Sequence, residues 1–544
     1  MKSAYLYLLL LGTVGISVGC TKLNEGLNST LTNPQTAAAL GANGTALLLN
    51  AAYADIGAPL TGQDLLFSLE ENTSDEALVP TRGGDWDDNG VWRVLHAHTW
   101  NADHQYILNV FNTLNKASFD ATNVLAFKPT AAQAAEARFL RALVLYYQLD
   151  LYGQYPIRDP GEDLRKAPLV RTGADAINFI ISELTTILPD LPADNGSSRA
   201  NPSACRTLLM KCYLQKGAFI NRASPTFDAA DMNQVVTLGN AIVNSGRYRL
   251  VDPLKYFTNF APDNTNTGTE GIFVYPNTGG VSTNNSGITA RWNMTLHYNQ
   301  YTPSNPNAGW NGFTTISDFY SAFNTSNSAT AFGPSDTTFD VRLGGRVKSD
   351  SVTTITSGLR PGLLVGQQYN EAGVALKDRN GNNLAFTPAI ASDMKETGSN
   401  REITGIRVIK YPPDYPNYQG SAGNDLMIFR YADVLLMIAE ANARLGNMAT
   451  ALTQVNALRS ARGAAPLTSM VLANPANAED PRTLLAERGR ELYWENMRRT
   501  DLIRFGMFLK PWQYKTVNDA KNLVFPVPNQ ALAANPNLKQ NTGY

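Results

Sequence analysis

Cysteine is the scarcest chemistry in this sequence, with three residues in 544. Cys20 closes an N-terminal apolar run, so only Cys205 and Cys212 remain for the rest of the chain. That excludes a disulfide framework, and the fold must be held by its core. The two cysteines lie seven apart in ACRTLLMKCYL, a stretch with helical pattern. Seven helical residues rise about 10 Å, beyond disulfide reach, and place both thiols on one face as buried small hydrophobes. Charge is scarce too, at 17% of residues with a net charge of −1 and no block of Lys or Arg. A nucleic-acid partner needs a concentrated basic face, so none is expected.

Catalytic signatures are equally thin. No nucleophile elbow and no phosphate-binding glycine loop occurs, and no cofactor is expected. Three of the four histidines, His96, His98 and His104, fall in HAHTWNADH. The surrounding helical pattern does not put His96 and His98 on one face, and no cysteine or carboxylate set has ligand spacing, so no metal is expected. Glu70, Glu71, Asp75 and Glu76 admit two readings. They hold a glycosidase acid/base pair, or they simply face water.

What is present begins with a leader. Lys2 and the apolar run Ala4–Val18 suit a signal peptide and are too short for a comfortable membrane span. Ser17-Val18-Gly19-Cys20 resembles a lipobox, which makes Cys20 the expected lipidation site; an ordinary secretory signal with an incidental cysteine is the other reading. Hydrophobic residues are 43% of the chain, enough for a sizeable core. The length fits two or three average domains or one large elaborated one.

Helical periodicity marks 131–153, where Ala135, Phe139, Ala142, Tyr146 and Leu149 form an apolar stripe. It also marks 172–188, with Thr172 and Asp175 in a box-like arrangement, and 201–217, where Asn201-Pro202 reads as a cap followed by proline at the first turn. The segments 228–246, 430–445 and 448–462 follow, the last two joined by Gly446-Asn447. Gly446 and Ala451 match the small-residue positions of a tetratricopeptide-like pair. Between them, 253–424 is rich in Asn, Gly, Ser, Thr and Pro, with GIFVYP and GIRVIKY as short strands. Loop-rich insertions that also hold aromatics tend to carry function. Trp86, in RGGDWDDNGVW, lies among Arg82, Asp85, Asp87, Asp88 and Asn89; Trp292, Tyr298 and Trp310 lie in the insertion. Sugar C–H faces stack on such rings while hydroxyls need polar neighbours. The competing reading packs Trp86 on the scaffold and pairs Arg82 with an Asp.

The last quarter reads LMIFRYADVLLMIAEANARLG, then ERGRELYWENMRRTDLIRFG, then VFPVPNQALAANPNLKQNTGY. With SDEALVP (74–80), EARFLRALVLYYQLDLYGQYPI (136–157) and TTFDVRL (337–343), these motifs cover most of the mature chain. In kind and order they resemble the SusD/RagB family of nutrient-binding outer-membrane lipoproteins. The resemblance implies a mainly α fold, with tetratricopeptide-like helix pairs forming a right-handed scaffold and a loop-rich insertion containing short strands. The implied parts are a lipoprotein signal peptide (1–19), an N-terminal part with helix pairs and an early binding loop (20–252), a variable region (253–424) and the C-terminal pair with its signature (425–544). It further implies a lipid-anchored, cell-surface, outer-membrane protein that is not an enzyme. Such a protein captures an oligosaccharide and hands it to a SusC-like TonB-dependent transporter. A peptide ligand, a glycan hydrolase and a purely structural lid are the alternatives. The expected ligand residues are Trp86, Arg82, Asp87, Trp292, Tyr298 and Trp310. The Arg/Glu-rich segment 487–506 is expected to pair its charges internally, with a substrate-binding arginine cluster as the alternative.

Overall fold

The computed structural model describes residues 43–193, 196–281, 286–300, 309–323, 340–344, 359–370, 373–417 and 420–544. The leader, Cys20 and Thr337–Phe339 lie outside the described residues.

Eight helices stack in series: α1 (Gly44–Asp55), α2 (Gln105–Leu125), α3 (Ala131–Tyr152), α4 (Gly173–Ile187), α5 (Pro202–Ile220), α6 (Ala229–Val243), α7 (Tyr431–Arg444) and α8 (Met448–Ser460). Each packs on the next. Helix α6 packs directly on α7, so the stack runs across the long segment that separates them in sequence.

Local chemistry explains these elements. Thr130 and Gln133 form a reciprocal capping box at the start of α3, and Gly153 ends it in the left-handed region at φ 68°. The predicted α3 stripe is buried, but burial extends all round from Phe139 to Tyr152, as in a central helix. Thr172 occupies the N-cap of α4 without a side-chain cap bond. The box-like arrangement does not form, because Asp175 is held by Arg171 at 2.8 Å instead. Asn201 does cap α5, accepting from the Ala204 N–H at 2.9 Å, and its amide donates to the Ile272 carbonyl at 3.1 Å. Cys205 and Cys212 are buried free thiols on this helix, and burial pushes Cys205 up to about 12. At the α6–α7 crossing, a Cβ on Gly239 would stand 2.5 Å from Ile438. Any larger residue there would have to push Ile438 aside.

The strands are short. Among the described residues they make five two-stranded sheets. Two of these position the core and the loop 82–90. Gly271–Tyr275 pairs antiparallel with Leu426–Arg430, and Thr81–Arg82 pairs in parallel with Lys395–Glu396.

The C-terminal signature folds as α9 (Leu484–Leu492) and α10 (Arg498–Arg504), and every residue of both is buried. Glu491 accepts from Arg342, Arg430 and Arg462 at 3.0, 2.7 and 2.8 Å. Glu487 accepts from Arg342, Arg459 and Arg490 at 2.6–2.7 Å. Arg504 grips Glu440 with two bonds of 2.8 Å. Burial alone would push the Glu440 carboxyl up, yet Arg504, Arg444 and Arg488 pull it down to about 2. The arginines of 487–506 therefore pair inside the protein, and none of them forms an open binding cluster.

The early carboxylates join the same network, which corrects the expectation that they face water. Glu70, Glu71, Asp75 and Glu76 are all buried. Asp75 takes both arms of Arg498 at 2.7 and 2.8 Å. Glu71 accepts the Asn496 N–H at 2.6 Å and Glu76 the Trp494 N–H at 3.0 Å. These bonds hold the turn between α9 and α10, where Trp494 and Asn496 take positive φ. Burial pushes Glu71 up to about 7.

Candidate ligand-binding face

Three sequence-distant segments meet around Trp86. The loop 82–90 carries it, 309–313 runs beneath it, and 297–300 flanks it. The loop is built from unusual backbone. Gly83 and Gly90 have positive φ, but so do Trp86 (59°), Asp88 (38°) and Asn89 (55°). Each such non-glycine residue costs about 1–2 kcal/mol. A bulky indole is held there because its surroundings fix it. The Trp86 Nε1 donates to the Trp310 carbonyl at 2.8 Å. Its ring meets Trp92 and Phe313 edge-on at 5.6 and 5.4 Å between centroids. Gly312 lies directly against it, since a Cβ there would stand 2.3 Å from the indole.

Trp86 is half-buried, and Trp310, at 39% exposed, lies 6.5 Å away with the rings inclined at 42°. With its N–H spent internally, Trp86 offers a ligand only its ring. Trp310 is a large exposed indole beside it. Together they form an angled aromatic surface suited to a curved, C–H-rich ligand.

The polar residues of the face divide into two sets. Asp87 is partly exposed and accepts from Arg93 at 2.9 Å and from the Thr81 hydroxyl at 3.3 Å. Tyr298 is half-buried, and its hydroxyl donates to Asp85 at 2.5 Å. Burial, then Asp85, push that phenol up to about 12. Arg82, by contrast, is 3% exposed. Its guanidinium donates to the Arg401 carbonyl at 3.0 Å and to the Thr404 carbonyl at 2.9 Å. It staples the loop to 401–404 and offers no ligand contact.

Trp292 also departs from expectation, being 0% exposed. It lies on the short helix Ser286–Asn293, one turn after buried Ile288, and packs into the main core. It has no face for a solvated ligand. The structure thus brings Trp86, Trp310, Tyr298 and Asp87 together at the surface and places Arg82 and Trp292 inside.

The histidines are committed elsewhere. Helix Val91–His96 ends before His98, which takes a positive φ and stacks on Phe508. His96, His98 and His104 each have ring nitrogens within 3.1 Å of backbone carbonyls. Among the described residues, no group of three His, Cys, Asp or Glu could hold a metal.

Residues 269–544, slightly more than half of the chain, match the SusD family. The chain belongs to the SusD family. It is 24% identical over 498 residues to the starch-binding protein SusD of Bacteroides thetaiotaomicron, covering 88% of this chain and 85% of that one. Its fold is similar to a SusD-like protein from Bacteroides fragilis, with a TM-score of 0.67, 19% identity and coverage of 93% and 97% of the two chains. A laminarin-binding SusD-like protein matches with a TM-score of 0.65, 19% identity and coverage of 92% and 99%. The mainly helical architecture is thus that of SusD-like proteins.

Sequence reasoning missed Asp85 as the partner of Tyr298, and it missed Arg379 entirely. The Arg379 guanidinium lies 3.8 Å over the Tyr298 ring. The one local signal was DRNGNN, which reads as a polar turn; its packing on a tyrosine far earlier in the chain leaves no trace in composition.

Proposed function

We propose that this protein is a surface-exposed, lipid-anchored glycan-binding protein that captures oligosaccharides and passes them to a SusC-like TonB-dependent transporter, without catalysis. The observation that carries this reading is the Trp86–Trp310 pair: two indoles on a strained, glycine-rich loop face, ringed by Asp87, Tyr298 and Asp85. Sugar rings stack on such surfaces while carboxylates and phenols accept and donate to their hydroxyls. The names of its relatives support it, since one binds starch and another laminarin. Burial of the early carboxylates supports the absence of hydrolysis, because an acid/base pair must reach the scissile oxygen. Lipidation at Cys20 would keep the protein at the outer membrane, with acyl chains contributing about 0.8 kcal/mol per buried CH₂.

Calorimetric titration of the purified chain against starch- and laminarin-derived oligosaccharides, other glycans and a peptide pool tests the ligand. A glycan should bind with a micromolar to millimolar constant, about 4–8 kcal/mol. Binding of peptides alone contradicts the reading. Cys20→Ala should release the protein from the membrane fraction, and detergent pull-down of the wild type should recover a TonB-dependent transporter.

A further inference from the structure

The polar side of the Trp86–Trp310 face has a construction that points to a ligand class. Tyr298 is engaged at its hydroxyl and on one face of its ring. Its hydroxyl is given to Asp85 at 2.5 Å, and one face of its ring is covered by the Arg379 guanidinium at 3.8 Å. Arg379 is in turn fixed from behind. Its backbone N–H and Nε donate to the two oxygens of Glu402 at 2.9 and 2.7 Å. Glu402 is buried and accepts from His297 Nε2 at 2.8 Å, while His297 Nδ1 accepts from the Asn299 N–H at 3.0 Å. One chain of contacts, hydrogen-bonded except where the Arg379 guanidinium lies over the Tyr298 ring, therefore links Asp85, Tyr298, Arg379, Glu402 and His297 across four segments.

Two sets of atoms on this chain remain uncommitted among the described residues. The Asp85 carboxylate keeps an oxygen that accepts nothing from them, and the Arg379 Nη atoms donate to none of them. Asp85 is exposed, and the Arg379 side chain is 53% exposed. A carboxylate beside a rigid guanidinium fork offers an acceptor for hydroxyl protons and paired donors for adjacent oxygens.

Two cations of the face are already matched. Arg93 is matched by Asp87, and Arg379 by Glu402. Asp85 forms no ion pair among the described residues, and Asp88 accepts from the Trp92 indole N–H at 2.8 Å. An acidic sugar needs a surplus of cations to repay its lost hydration, and here it would meet the exposed Asp85. We infer that Asp85 and Arg379 form the hydrogen-bonding wall of the Trp86–Trp310 face, and that this face takes a neutral oligosaccharide with adjacent free hydroxyls, not a uronate or sulfated one. The inference rests on the glycan-binding reading above and adds its ligand class and two residues.

The test titrates the full chain with malto-, laminari-, xylo- and manno-oligosaccharides as neutral probes and with oligogalacturonate and heparin fragments as acidic ones. At least one neutral probe should bind, with an affinity constant within about twofold between about 50 and 300 mM salt. Acidic probes should bind at least about tenfold more weakly. Arg379→Gln should weaken the neutral probe about tenfold, and Asp85→Asn, which keeps an acceptor for Tyr298, about fivefold, both with unchanged melting temperature. If both variants bind as the wild type does while Trp86→Ala does not bind, the wall assignment is overturned and the aromatic face stands. Tighter, salt-weakened binding of an acidic probe overturns the ligand class. If no probe of either kind binds, the glycan reading fails and this inference fails with it.

Discussion

The α9–α10 core and the Trp86–Trp310 face are both rich in charge and aromatics, yet they use them in opposite ways. In the core, Arg430 reaches Glu270, Glu491 and Glu495 directly, and all four side chains are buried. On the face, Arg93 and Asp87 pair at the surface, Arg379 is half exposed, and the indoles of Trp86 and Trp310 are partly open to solvent. The difference teaches that density of charge in a sequence does not locate a site. The ERGRELYWENMRRTD run is the most conspicuous motif in the chain and is interior but for half-buried Asn496. The candidate face is assembled from loops in which single rings sit among small polar residues. In low dielectric each arginine needs its charge matched, and the network fixes how α7, α9 and α10 meet. At the surface the same pair is worth no more than about 1 kcal/mol, so a ligand can compete for it.

The sharpest way to break this comparison is to cut the core. Arg430→Ala leaves Glu495 with Lys410 alone and takes one of three arginines from Glu491, and breaking a buried network costs about 3–5 kcal/mol. That is a large share of a total stability of about 5–15 kcal/mol, and urea denaturation should register it as a lower midpoint or as failure to fold. A loss below about 1 kcal/mol would place the network among weak surface pairs.

Trp292→Ala sharpens the contrast between indoles. Emptying a buried Trp site costs about 3–5 kcal/mol, whereas Trp310→Ala should leave the thermal midpoint nearly unchanged. Equal midpoints for the two variants would contradict the burial difference.

Acid gives a smaller, graded effect. Glu440 has an ordinary value of 4.5 and is held at about 2 in the fold by its arginines. A depressed carboxyl stabilises above its unfolded value, and the contribution is lost as pH falls toward the folded one. Between pH 4.5 and 2, melting temperature should therefore fall, and Glu440→Gln should flatten the fall. His297, lowered from 6.5 to about 4 mainly by burial, acts in the same direction. The unfolded chain protonates it first, so stability should also decline from pH 6.5 to 4.

Much of the scaffold was legible. Helix α3 begins and ends within a residue of its sequence boundaries, because Thr130 and Gly153 are strong local signals. Asn201-Pro202 starts α5 as read. Thr172 misled because its N3 partner, Asp175, had a nearer arginine. The face was legible only in part. Trp86 and Trp310 stand out as rings in polar loops, and both reach the surface. Trp292 lies in an equally Asn- and Gly-rich region, but GITARWN folds as a short helix whose Ile288 and Trp292 share a buried side. Arg82 pairs with residues more than three hundred positions away, a contact that no local pattern encodes. The early carboxylates failed for the same reason, since their partners at Trp494, Asn496 and Arg498 lie at the other end of the chain.

The central claim is that the ligand is held by Trp86 and Trp310 and not by the charged signature. Its most direct test is calorimetric titration of the Trp86→Ala/Trp310→Ala double variant with the best neutral oligosaccharide, alongside its melting curve. The account predicts no measurable heat of binding at a melting temperature within a few degrees of the wild type. Wild-type affinity in a folded double variant would contradict it.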